Sequence, residues 1–115
     1  MFVMKDEQKI ELVEGVRGGK GKVKLTHVVP QELLEGPFKQ FNYMAMEPGS
    51  FVGEHTHDDG SEICQIIEGT ARYTDDGVAR VLHAGDTDYC LKGHSHKLEN
   101  IGDGVLKCLA CILKY

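Results

Sequence analysis

Apolar and polar positions along the chain alternate in short runs rather than recurring at helical spacing. Stretches such as "KVKLTHVV" (22–29), "EICQIIE" (62–68) and "VLKCLACIL" (105–113) are rich in branched apolar residues and end at Gly, Pro, Asp or Asn. A period of two over such lengths predicts strands. The predicted strands cover 9–14, 22–29, 38–47, 51–57, 62–68, 70–75, 78–83, 86–91, 96–100 and 105–113. Asp76-Gly77 lies between two of them, the pair that suits a tight hairpin turn with positive φ angles. Pro48-Gly49 and the stretch "NIGDGV" (100–105) break the chain in the same way. The one helical fragment is "PQELLEG", opened by Pro30 and closed by Gly36. The pattern predicts an all-β fold, a sandwich or barrel with little helix.

Length changes this picture only by setting its scale. The chain has 115 residues, enough for a single domain (1–115) that buries about two-thirds of its unfolded surface. No linker or repeat divides it; N-terminal strands over about 1–40 lead into a barrel over about 41–113. The opening "MFVMKDEQKIELVEG" contains no apolar run of signal-peptide or membrane-spanning length, so no membrane partner and a cytoplasmic location are expected. Eighteen acidic against thirteen basic residues give a net charge of −5. No nucleic acid partner is expected, because phosphate binding needs a concentrated positive face. The short basic stretch "GGKGKVK" reads as a solvated hairpin.

The cysteines add little chemistry. In a strand, Cys108 and Cys111 of "CLAC" would point to opposite faces and could not grip one metal ion together. Two ordinary thiols are expected there.

The histidines do add chemistry. In "GEHTHDDGSEICQIIEG", His55 and His57 sit two apart on a predicted strand and project to one side, with Glu54 and Thr56 on the other. The "DDGS" segment can turn the chain back and bring Glu62 beside them. Asp58 and Asp59 belong to that solvated turn. Two imidazoles and a carboxylate suit a divalent transition metal. A fourth ligand is available from "GHSH", where His94 and His96 repeat the spacing.

Together these stretches resemble the cupin superfamily, and in particular its small single-domain metal-binding members. Gly49, His55, His57, Glu62 and Gly69 match every fixed position of the first cupin motif. Gly85, Gly93, His96 and Asn100 match the second, with Leu91 where that motif has proline. The likeness spans about residues 45–110. It implies an antiparallel jelly-roll β-barrel with His55, His57, Glu62 and His96 turned inward around one divalent metal: Mn, Fe, Ni, Co or Zn. The motif glycines would make corners that a side chain would obstruct, and Asn100 would hold a turn through backbone bonds. His94 is then a turn or rim residue, and His27 and His83 pack on the sheets or the surface.

Alternation from the ligands extends the inward face to Cys64, Ile66 and Leu98. Cys64, Phe51, Tyr73 and Leu98 are the expected substrate pocket, with Ile66 filling core. No motif residue supplies an acid or base; Tyr89 and His94 are the candidates. Arg17, Arg72 and Lys92 are available to an anionic ligand, but nothing in the sequence aims them at the metal. Three imidazoles and a carboxylate leave two octahedral positions open, so the resemblance implies a small-molecule enzyme acting on an oxygen-rich substrate: a dioxygenase, decarboxylase, isomerase or lyase. A non-catalytic ligand-binding cupin is the alternative. The resemblance also implies a homodimer that buries the outward Ile63 and Ile67.

Overall fold

The alternation folds as strands. A computed structural model describes residues Met1–Tyr115, and ten strands carry its architecture: β1 (Lys9–Glu14), β2 (Lys22–His27), β3 (Phe38–Met46), β4 (Phe51–Thr56), β5 (Gly60–Glu68), β6 (Ala71–Asp75), β7 (Val78–Leu82), β8 (Thr87–Cys90), β9 (Ser95–Asn100) and β10 (Leu106–Lys114). Each coincides with a predicted strand to within about two residues at either end. The fragment "PQELLEG" forms only a 3₁₀ turn at Gln31–Leu33, because Leu34 already returns to extended backbone. Two further 3₁₀ turns, Lys5–Glu7 and Val16–Gly18, left no signal in the periodicity. No helix is long and apolar enough to cross a membrane.

The strands pair antiparallel into a six-stranded sheet, β1-β2-β3-β10-β5-β8, and a four-stranded sheet, β4-β9-β6-β7. Face to face they form a jelly-roll sandwich that closes toward a barrel. Val23, Met44, Met46, Ile66, Leu106 and Cys108 point inward from the larger sheet and meet Val52, Ala71, Tyr73 and Leu98 from the smaller. Ile66 is fully buried, so truncating it to Ala should cost about 2–5 kcal/mol. Cys108 faces this core while Cys111 faces the other side of β10, and all four cysteines are free thiols.

Gly49, Gly69, Gly85 and Gly93 do stand at corners, but the physical reason differs from the one expected. All four have φ between 79° and 97°, a region that side-chain-bearing residues rarely adopt. At Gly49, Gly85 and Gly93 a Cβ would meet nothing within 4 Å, so the requirement is conformational rather than steric. Steric necessity appears elsewhere. A Cβ on Gly19 would lie 1.9 Å from the Phe51 carbonyl oxygen, and one on Gly53 would lie 2.1 Å from that of Arg17. The segment between β1 and β2 is therefore no freely solvated hairpin: it lies against β4, tied by the Lys20–Phe51 bridge.

Candidate metal centre

β4 carries the first two histidines and a bulge determines their aim. Val52 pairs with Leu98 and His55 with His96, and the register shifts between them at Gly53-Glu54. An extra residue in one strand re-aims the side chains that follow. Beyond the bulge, His55 faces the interior, and the Gly53 carbonyl accepts a hydrogen bond from His55 Nδ1 at 2.8 Å. His57 follows just past the strand, pinned by backbone bonds from its N–H to the His94 carbonyl and from the Gly93 N–H to its own carbonyl. Glu62 enters from β5 in the other sheet, and His96 from β9.

The four side chains converge. One donor atom from each lies within 4.8 Å of the others. His96 Nε2 is 2.8 Å from Glu62 Oε1 and 3.1 Å from the Nε2 atoms of both His57 and His55. Glu62 Oε1 lies 3.2 Å from His57 Nε2. The rings meet edge to face, with interplanar angles of 68° to 78°, so their ring nitrogens crowd one point while their carbon edges pack outward.

The donor chemistry fits a cation. His55 gives its Nδ1 proton to Gly53, and His96 Nδ1 bonds Asp88 Oδ2 at 2.9 Å. A neutral imidazole that donates from Nδ1 carries a lone pair at Nε2, so the two Nε2 atoms 3.1 Å apart are acceptors facing each other. A divalent ion satisfies such converging lone pairs, and a nitrogen-rich set with one carboxylate suits Mn, Fe, Co, Ni or Zn. Without an ion, protons carry that role. Burial opposes charge on His96, but its bonds to Asp88 and Glu62 prevail and lift it to about 9. Burial likewise pushes Glu62 up, and the bonds from His57 and His96 overcome it, holding Glu62 down at about 2. Burial lowers His55.

Beside the four donors an open cavity of about 490 Å³ reaches solvent between the sheets. Tyr73 and Leu98 line it as expected. Phe51 does not: the bulge reverses the alternation, so Val52 faces in and Phe51 packs on the outside beneath the Lys97 ammonium, 4.7 Å from the ring centroid. Cys64 does point inward, but it is sealed in the core against Cys108 and Tyr73 and does not reach the cavity. Its register neighbour Ala110 forms the wall there instead.

The two acid–base candidates lie outside the site. Tyr89 pairs with the outward Ile63 and is 51% exposed. His94 is an exposed rim residue just before β9, and its Nδ1 bonds Asp76 in the β6–β7 turn; that bond lifts its pKa. Of the three basic residues, Arg17 lines the cavity, Arg72 faces Glu99, and Lys92 bonds the Tyr115 carbonyl. His27 is buried in the sheet against Glu11, at 2.8 Å. Asn100 holds its turn as expected, donating to the Met46 and Gly104 carbonyls and accepting from the Gly102 N–H.

Two carboxylates behind His96 were missed. Asp88, on β8, holds Nδ1, and Asp75 sits opposite His96 on β6. Burial and the neighbouring Asp88 carboxyl lift Asp75 to about 6. The available signal was a polar residue at an inward position of "TDYC", between neighbours whose alternation places Cys90 in the core.

Comparison with known proteins agrees with this geometry. A curated relative, the "Oxalate-binding protein" of Thermotoga maritima, is 35% identical over 113 residues, covering 98% of this chain and 93% of the relative. A crystal structure from Thermotoga maritima, described as "a predicted oxalate decarboxylase", superposes with a TM-score of 0.93 at 35% identity over 100% of both chains. Recombinant oxalate oxidase in complex with glycolate shares the fold at a TM-score of 0.61 and 22% identity, over 65% of this chain and 41% of that one. The model of the family "Cupin domain" matches residues 42–112, the region that holds all four converging side chains, and the chain therefore belongs to the cupin family.

Proposed function

We propose that this cupin binds a small acid of the oxalate class, two adjacent oxygens presented together, at a divalent transition metal held by His55, His57, Glu62 and His96. The observation that carries the reading is the convergence of four donors within 4.8 Å at the side of an open cavity. The name of the Thermotoga relative supports the ligand class. A bound metal would supply Lewis acidity and two exchangeable positions. The chain's own residues hold it and shape access. Asp88 and Gly53 fix the His96 and His55 tautomers, Glu62 brings a negative charge that balances the ion, and Arg17 on the cavity wall attracts an anion. Tyr73, fully buried and pushed well above the usual phenol range, stays a neutral wall.

A second reading is turnover of that ligand, favoured by the similarity to the structure described as an oxalate decarboxylase. Elemental analysis followed by calorimetric titration of the loaded protein with oxalate tests the first reading. The expected result is one metal per chain and saturable binding; no metal uptake on titration would sink it. Release of formate and carbon dioxide from oxalate would establish the second. The reading includes a homodimer joined across the outer face of the six-stranded sheet, supported by the outward Ile63 and Ile67, 40% and 44% exposed. Ile63→Lys should then halve the mass measured by light scattering. A cytoplasmic location belongs to the same reading, supported by the four free thiols.

A further inference from the structure

Oxalate leaves most of this cavity empty. Two directly joined carboxyl groups displace the space of about three waters, roughly 90 Å³ at about 30 Å³ each, whereas the cavity holds about 490 Å³. Its shape follows from sheet order. Glu62 on β5, Ala110 and Ile112 on β10, Met44 on β3 and Leu25 on β2 all line it, and these four strands are consecutive neighbours. Three interstrand steps of about 4.8 Å make a trough on the order of 14 Å long, starting at the metal donors. Val52 and Leu98 roof it from the other sheet. The arm beyond the metal offers the aliphatic side chains of Leu25, Met44, Ala110 and Ile112 as one continuous strip, with Lys39, Gln40 and Asn42 as the polar residues of its β3 wall. Leu25 and Ile112 are only partly buried, so their apolar surface meets water when the arm is empty. Oxalate has no group that would cover them.

We infer that the preferred ligand is a 2-oxo or 2-hydroxy acid with an apolar side chain of a few carbons, its two adjacent oxygens at the metal and its tail along Ile112, Ala110, Met44 and Leu25. This deepens the proposed function and rests on it: the head group is the oxalate-class chelate, and the arm adds the tail. A carboxylate at the end of the tail is disfavoured where it would lose hydration against Leu25, Met44, Ala110 and Ile112; the cations of the lining, Arg17 and Lys39, are the partners such a tail would have to reach instead.

The test is calorimetric titration of the metal-loaded protein with oxalate and then with pyruvate, 2-oxobutanoate, 2-oxopentanoate, 2-oxohexanoate and 2-oxoglutarate. Along the unbranched series each added methylene should tighten binding about three- to fourfold, and 2-oxoglutarate should fall below 2-oxopentanoate, which has the same number of carbons. Leu25→Ser should weaken 2-oxohexanoate by about tenfold while leaving metal content and oxalate affinity unchanged. Ala110→Leu, which fills the arm, should erase the gradient. Oxalate binding with an affinity flat or falling from pyruvate onward would overturn this inference and leave the proposed function standing. Failure of every acid, oxalate included, to bind loaded protein would overturn both.

Discussion

The chain contains the pattern H-x-H twice, and the two copies behave oppositely. His55 and His57 both reach the metal centre, whereas His96 reaches it and His94 turns out to Asp76. The spacing is identical, so the difference lies in the backbone. His55 lies in a paired stretch of β4 and His57 continues it, held against Gly93 and His94 by two backbone hydrogen bonds. His94 closes a turn, its N–H bonded to the Leu91 carbonyl, and β9 begins only at Ser95. Alternation of side chains is a property of extended backbone. One step of turn cancels it, and the second motif delivers one ligand where the first delivers two.

The sharpest way to break this contrast is to remove the ligand that the second motif does deliver. His96 touches all three other donors and is almost fully buried. His96→Ala should drop metal content from near one per chain to background, an affinity loss of more than about 100-fold, with the strand signal in circular dichroism retained. A smaller effect is expected from Gly53→Val in the first motif, which leaves all four ligands in place. The new Cβ would collide with the Arg17 carbonyl and shift the carbonyl that orients His55. Overpacking of this kind costs about 1–3 kcal/mol, and metal affinity should fall about tenfold as His55 loses its tether. Urea melts and metal titrations would separate the two losses.

Where the sequence succeeded and failed follows the same physics. The ten strands were legible because alternation and turn residues act over a few neighbours, and Asp76-Gly77 does form its hairpin with φ of 47° and 80°. Strand spacing brought His55, His57 and Glu62 together, but it was the likeness to the second cupin motif that singled out His96 from His94. Phe51 was misplaced because a bulge reverses the alternation and leaves no mark except a glycine. Cys64 was placed on the correct face but in the wrong layer, since depth depends on which side chains of β6 and β10 lie above it. Tyr89 faces outward because β8 pairs with β5 so that Cys90 opposes Glu62, a register that only the folded sheet reveals. Asp88 reaches His96 across the gap between the two sheets, beyond any local pattern.

Asp88 gives a sharper version of the comparison, because it supports the inward histidine of the second motif as Asp76 holds the outward one. Asp88→Asn keeps the shape but removes the charge facing His96 Nδ1, so the imidazole is less firmly held as an Nε2 donor. Metal affinity should fall about tenfold or somewhat more; an unaltered affinity would show that His96 is positioned by packing alone.

The smallest expected effect is at His94, and it is the most discriminating. Hydrogen bonding places its ring on Asp76 at the exposed rim, with Ser95 N–H bonding the other Asp76 oxygen at 3.0 Å. His94→Ala removes an exposed ion pair and nothing that coordinates. Such pairs contribute little, so metal content and affinity should stay within about a factor of two of the parent. A loss comparable to that of His96→Ala would mean that His94 swings inward when metal binds, that the second motif can supply two ligands after all, and that the turn at Leu91–His94 is a hinge rather than a fixed corner.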